Sequence, residues 1–218
     1  MFPLRDVIPS RTTPFVTIAL IALNALAWFF EISMSEDQLS DFLRVWGVVP
    51  GAFVPLTLLS SMFLHGGWWH VIGNMWFLWI FGDNVEDRMG HGRYIVFYLL
   101  CGVVASVGQI LINSTSMVPT IGASGAIAGV MGAYIVLYPK SRVLTLVTLI
   151  VFWEVIELPA VALLGVWFAM QLFSAGAGAV NASTTGGGVA FMAHVAGFVM
   201  GALGVFVFKR REPSPLWS

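Results

Sequence analysis

Six stretches of this chain stay apolar over most of the thickness of a lipid bilayer, and that constraint precedes every other. A helix needs about 20 residues to cross roughly 30 Å of hydrocarbon. Phe15–Ile32, Trp68–Gly82, Tyr94–Ile112, Ser124–Tyr138, Leu158–Phe173 and Val189–Phe208 approach or meet that length. Charged residues make up only 10% of the 218 positions, apolar residues 58%, and mean hydropathy is +0.89, where a soluble domain carries about 25% charge. So few charges cannot wet a whole surface. This excludes a disordered chain, a nucleic-acid binder and an ordinary cytosolic enzyme. In lipid only helices and closed barrels satisfy every backbone group internally, and runs of this length point to helices. The expected fold is an all-α membrane protein, a polytopic bundle of six transmembrane helices. It forms one domain (1–218) with its core at about 14–208 and short tails at 1–13 and 209–218.

Basic residues set the orientation, because Lys and Arg concentrate on the cytoplasmic side. With six spans, the N-terminus, the loops at 83–93 and 139–157 and the C-terminal tail share one side. They hold nine of the ten basic residues; only Arg44 falls opposite, beside Glu36, Asp37 and Asp41. Both termini are therefore expected in the cytoplasm, in a multi-pass protein of the plasma (inner) membrane of a prokaryote. A further apolar stretch lies within 141–157, LTLVTLIVFW, too short to span alone. It is expected at the interface, with a seventh span left open. The first external loop, 33–67, carries Trp46, Pro50, Gly51 and Pro55. Too apolar for a solvated loop and too broken to span, it should lie in the interface.

Three constellations carry chemistry. Gly122-Ala123-Ser124-Gly125 opens the fourth span, whose 15 residues from Ser124 to Tyr138 reach only about 22 Å. The span is too short, so its N-terminal end stops below the outer surface and Ser124 sits inside the membrane at a helix start. Alone, such a serine is an ordinary N-cap. His194 lies in the last span, where ionisable side chains are costly and face a cavity or a partner. Gly197, Gly201 and Gly204 share a face with His194, and Gly125, Ala128, Gly129 and Gly132 give a matching small face beside Ser124. Small faces let helix backbones approach closely in lipid, which brings Ser124 and His194 within reach of a nucleophile–base pair. His70 and Asn74, at i and i+4, share one face near the outer end of the second span. Both can donate to a developing oxyanion, as can the Ser124 backbone N–H. His65 and His91 are expected to be loop or interface histidines, and Cys101, the only cysteine, a small buried hydrophobe.

Together these pieces resemble the rhomboid family of intramembrane serine proteases. The resemblance runs over roughly residues 50–205 and rests on FLHGGWWHVIGNM (63–75), FGDNVEDRMG (81–90), GASGAIAGVMGAY (122–134) and AHVAGFVMG (193–201). It implies Ser124 as nucleophile, His194 as general base and later acid, and no acidic third member. His70, Asn74 and the Ser124 N–H would form the oxyanion hole. Glu86 would organise the loop after the second span, and Gly122, Gly125, Gly129, Gly197 and Gly201 would serve packing. Some members stack an aromatic residue, four positions after the nucleophile, on the catalytic histidine. Here that position is Ala128, so His194 needs another support. The resemblance implies transmembrane proteins as substrates, the bilayer as surroundings, and no metal, cofactor or nucleic acid. Two rival readings come from other classes. A catalytically inactive client-binding relative would be marked by loss of the Ser or His. A small transporter or channel would carry polar groups through the full depth of the bundle, whereas here they cluster in the outer half.

Overall fold

A computed structural model of the chain describes residues 2–149, 152–180 and 190–210. Residues 150–151, within the segment read as interfacial, lie outside the described residues. So do 181–189, which include Val189 at the start of the sixth expected span, and the tail beyond 210. Among the described residues eight α-helices follow in order: α1 (Phe15–Glu31), α2 (Glu36–Trp46), α3 (Thr57–Ser60), α4 (Trp68–Met89), α5 (His91–Ile112), α6 (Ser124–Leu137), α7 (Ala160–Val180) and α8 (Phe191–Phe208). By length and composition α5 and α8 can each cross a membrane, while α1, α6 and the Ala160–Ser174 part of α7 are shorter apolar helices. The second expected span runs seven residues past Gly82, because Asp83, Glu86, Asp87 and Arg88 extend α4 to Met89.

The all-α expectation holds only in part. Three antiparallel strands, β1 (Phe2–Asp6), β2 (Arg142–Leu149) and β3 (Phe152–Pro159), form a sheet in the order β1-β2-β3. Phe2 pairs with Leu146 and Asp6 with Val143, and β2 and β3 register from Arg142 opposite Pro159 to Leu149 opposite Phe152. Over its described residues the segment 141–157 is thus paired strand, not a seventh spanning helix. Its β-branched and aromatic residues suit a pleated, half-buried surface: Val143 and Thr145 are fully buried on one face, and Arg142 pairs with Glu157 at 3.4 Å. The segment expected as an N-terminal tail supplies the third strand and is tied along α4. Trp76 Nε1 donates to the Pro3 carbonyl (2.7 Å), Asn84 Nδ2 to Asp6 (2.9 Å) and Ser10 to Asp83 (2.5 Å), while Thr12 bonds Asp87. The Tyr134 hydroxyl also donates to Asp6, at 2.7 Å. Burial pushes the Asp6 carboxyl up to about 6.

The loop expected to be external, 33–67, is more ordered than its composition suggests. Ser35 and Gln38 close a reciprocal capping box that starts α2, and both acidic residues of the first turn, Glu36 and Asp37, complement the helix dipole.

Helix α6 is the centre of the bundle, buried from Gly125 to Tyr134. It packs chiefly on α8, then on α5 and α4. The expected small faces meet at Gly197 and Gly201, whereas Gly204, expected on the same face, is turned toward Phe97 of α5. A Cβ on Gly197 would strike the Gly125 carbonyl, one on Gly201 the Gly129 carbonyl, and one on Gly132 the Phe198 carbonyl. On the other side Gly125 faces Ala105, and Gly129 faces the buried thiol Cys101. Below this contact Phe81, Tyr94, Phe97, Tyr98 and Tyr134 form a fully buried aromatic core. The outer surfaces instead show Leu111, Phe173, Leu203, Phe206 and Val207, apolar residues that hydrocarbon accommodates and water does not.

Candidate active site

Ser124 is the first residue of α6. The N-cap position is Ala123, with no side-chain cap, so the serine hydroxyl is not spent on the helix end. Its Oγ lies 2.8 Å from His194 Nε2, across the helix pair that the glycine contacts hold close. The loop before it is folded against protein: Gly122 N–H donates to Ser61 O (2.8 Å), Thr120 and Val48 exchange backbone bonds, and Gly51 N–H donates to Ser116 O. Gly122 has φ +122°, a left-handed conformation that favours glycine. A Cβ there would also lie 2.8 Å from His70 Nε2 and 3.7 Å from Ser124 Oγ, so the imidazole and the hydroxyl face the same small space.

His70 Nδ1 accepts the Gly66 N–H at 3.3 Å. That leaves the ring proton on Nε2, directed at the space beside Ser124. One turn on, Asn74 is buried and its amide nitrogen has no partner among the described residues. A buried donor left unpaired is costly, and its position on the His70 face is where a transient acceptor would meet it. A cavity beside Ser124 is lined mostly by small groups, among them Gly102, Ala105, Gly125 and Ala193, with Met62 and Ile121 completing its wall.

The remaining histidines lie apart from this chemistry. His65 is a loop residue, fully buried, with its ring 5.2 Å from that of His70 and its backbone N–H on the Glu31 carboxylate (3.1 Å). Burial, helped by neighbouring His70, holds the His65 imidazole down at about 4. His91 opens α5, with Nδ1 2.6 Å from Glu86 Oε1. Glu86 itself is fully buried and caps α1 from outside, accepting the Val16 and Thr17 N–H groups at 2.9 and 2.8 Å and the Thr17 hydroxyl at 2.8 Å. The start of α1 has Pro14 at its N-cap and no side-chain cap of its own, so Glu86 supplies what the local sequence lacks.

Two residues at the site escape the sequence reading. Gln171 Oε1 lies 2.8 Å from His194 Nδ1, and the Trp167 ring lies 5.8 Å from the His194 ring. A signal existed: between Ala160 and Phe173 Gln171 is the sole residue with a side-chain amide, hydroxyl or charge, and a polar group in an apolar span demands a partner.

A sequence model of the rhomboid domain matches residues 52–211. Among similar proteins, Rhomboid protein 1, mitochondrial, of Saccharomyces cerevisiae is 29% identical over 162 residues, covering 72% of this chain and 43% of that protein. Rhomboid protease GluP of Bacillus subtilis is 30% identical over 140 residues, 62% of this chain and 27% of its own length. Presenilin-associated rhomboid-like protein, mitochondrial, of Mus musculus is 33% identical over 126 residues, 56% of this chain and 33% of its own. The chain thus spans less than half the length of each of these relatives. Since the matched domain takes in the whole of α4 to α8, and with them the elements that carry Ser124 and His194, the chain belongs to the rhomboid family and is an integral membrane protein.

Proposed function

We propose that this protein is an intramembrane serine endopeptidase that cleaves transmembrane segments of other membrane proteins. The observation that carries the reading is the 2.8 Å contact between Ser124 Oγ and His194 Nε2 at the start of a 14-residue helix, about 21 Å long and buried within the bundle. As Oγ attacks the scissile carbonyl carbon, its proton passes to His194 Nε2, and the carbonyl π pair moves onto oxygen. The His70 Nε2–H, the Asn74 amide and the Ser124 backbone N–H, which has no intrahelical acceptor, donate to that oxyanion. Collapse breaks the C–N bond, and His194 returns the proton to the leaving amine. Water, deprotonated by His194, then hydrolyses the Ser124 ester and regenerates the hydroxyl.

The substrate helix must unwind locally to expose a peptide bond. Small or helix-breaking residues near the cut lower that cost, and the small-residue cavity beside Ser124 suits a small side chain there. We further assign six spans, both termini cytoplasmic and the plasma membrane of a prokaryote, on the nine basic residues that share one side. Reporters fused after residue 218 should be active only in their cytoplasmic form; a periplasmic signal there would overturn the orientation.

Cleavage of a reporter transmembrane segment in liposomes tests the function. Wild type should release the product and Ser124→Ala should not; equal rates from the two would refute it. The oxyanion assignment makes a separate demand. Donors that strengthen only as the oxyanion forms act on kcat and leave KM nearly unchanged. Asn74→Ala should lower kcat by up to about 10²–10³-fold, and His70→Ala should act in the same direction. A large rise in KM at unchanged kcat would instead make these residues substrate-docking groups.

A further inference from the structure

We infer that Gln171 and Trp167, neighbours one turn apart on α7, are positioning residues that hold His194 in its base form. They would occupy the role that a carboxylate fills in a three-membered serine protease site. The inference rests on the proteolytic reading above and adds the device that orients the base.

The contact of Gln171 Oε1 with His194 Nδ1 is 2.8 Å. An amide oxygen only accepts, so Nδ1 must carry the ring proton for this contact to be a hydrogen bond. Neutral imidazole has one N–H, so Nε2 is then a bare lone pair, 2.8 Å from the Ser124 hydroxyl. The opposite tautomer would set two lone pairs against each other at Gln171, and at Ser124 its Nε2–H would donate to Oγ, so Nε2 would hold no lone pair to take the serine proton. One amide oxygen thereby selects the tautomer that can take the serine proton.

Direction is fixed by a second contact. The Trp167 ring flanks the imidazole at 5.8 Å with a 38° tilt, and rests on Phe198 at 6.2 Å. Phe198 in turn stacks on Phe168 at 4.4 Å and 20°. The support is therefore anchored in the packing of α7 on α8. No ring is available from the α6 side, where position 128 is a fully buried alanine. Stacking that could have come from α6 comes from α7.

The choice of an amide follows from where the site lies. A carboxylate at this depth would add a buried charge whose desolvation its partner need not repay. An amide sets tautomer and direction without that charge. It also stabilises the imidazolium less, so its removal should cost less than loss of a triad aspartate.

The test compares wild type, Gln171→Met, Gln171→Glu and Trp167→Ala in liposomes, with thermal stability followed alongside. Methionine keeps the length and removes the acceptor; glutamate keeps both length and acceptor. Gln171→Met should lower kcat on the order of 10- to 100-fold, a fraction of what a general base contributes, with KM within about twofold of wild type. Gln171→Glu, which restores the acceptor but adds a charge, should recover part of that loss, and Trp167→Ala should lose less than Gln171→Met. Unchanged kcat in Gln171→Met, or a loss carried by KM, would overturn the inference. Nitrogen-15 NMR of the folded wild type, with His194 identified by its absence in His194→Ala, decides the tautomer even if a Gln171 variant does not fold. A proton on Nδ1 supports the inference and one on Nε2 refutes it. If wild type cuts no reporter while His194 carries its proton on Nδ1, the proteolytic reading fails and the positioning contact stands.

Discussion

Ser124→Ala, His194→Ala and the double variant are expected to lower reporter cleavage to one common floor, on the order of 10⁴-fold or more below wild type. A nucleophile without its base, or a base without its nucleophile, loses nearly everything the pair contributes, so the second substitution should add little. The 2.8 Å Oγ–Nε2 contact is the physical basis for that non-additivity. Folding should survive, because Ser124→Ala removes one hydrogen bond and His194→Ala two, each worth about 1 kcal/mol, and both leave the glycine contacts between α6 and α8 intact. Turnover measured in liposomes for all three variants checks this. Additive losses, or a His194→Ala protein with near-wild-type turnover, would mean that another group takes the proton.

Gly201→Leu should abolish activity and stability together. Even the first carbon of the new side chain would overlap the Gly129 carbonyl, which is backbone and cannot rotate away. The α6–α8 pair must separate, and separation breaks the Ser124–His194 contact. Overpacking alone costs about 1–3 kcal/mol, and the loss of close backbone packing along the helix pair adds to it. Gly197→Leu should behave alike through the Gly125 carbonyl. Gly204→Ala is the control, since its Cβ would meet only the Met200 side-chain end at 3.3 Å and the Phe97 ring at 3.4 Å. Thermal unfolding in detergent, run beside the cleavage assay, should show the first two far below wild type and the third close to it. A stable, active Gly201→Leu protein would contradict the packing described here.

The parts of this architecture that were legible in the sequence are those that lipid makes expensive to hide. Close helix packing in a bilayer leaves small residues at helical spacing, so the faces of α6 and α8 could be matched before their contact at Gly129 and Gly201 was seen. Ser124 and His194 stood out because a histidine within an apolar span needs a partner, and the short α6 told where its serine would stop. The strands did not stand out. LTLVTLIVFW reads as an apolar run in any local window, and its pairing partner, Phe2–Asp6, lies about 140 residues away, where no periodicity can reveal it. The capping box at Ser35 and Gln38 was visible in principle, yet the composition of the surrounding loop obscured an 11-residue helix. Gln171 passed unnoticed for a related reason: an uncharged amide among apolar residues is a weaker signal than a histidine, although lipid requires a partner for both.

The central claim is that His194 makes Ser124 a nucleophile, and labelling by a fluorophosphonate tests it without any knowledge of the substrate. Only a serine whose proton can pass to a neighbouring base attacks such an electrophile readily near neutral pH. Intact mass followed by peptide mapping should find one adduct per chain, on Ser124, and His194→Ala should lose it while remaining folded. Labelling of Ser60, Ser61 or Ser106 in place of Ser124, or an adduct on Ser124 that persists unchanged without His194, would contradict the account.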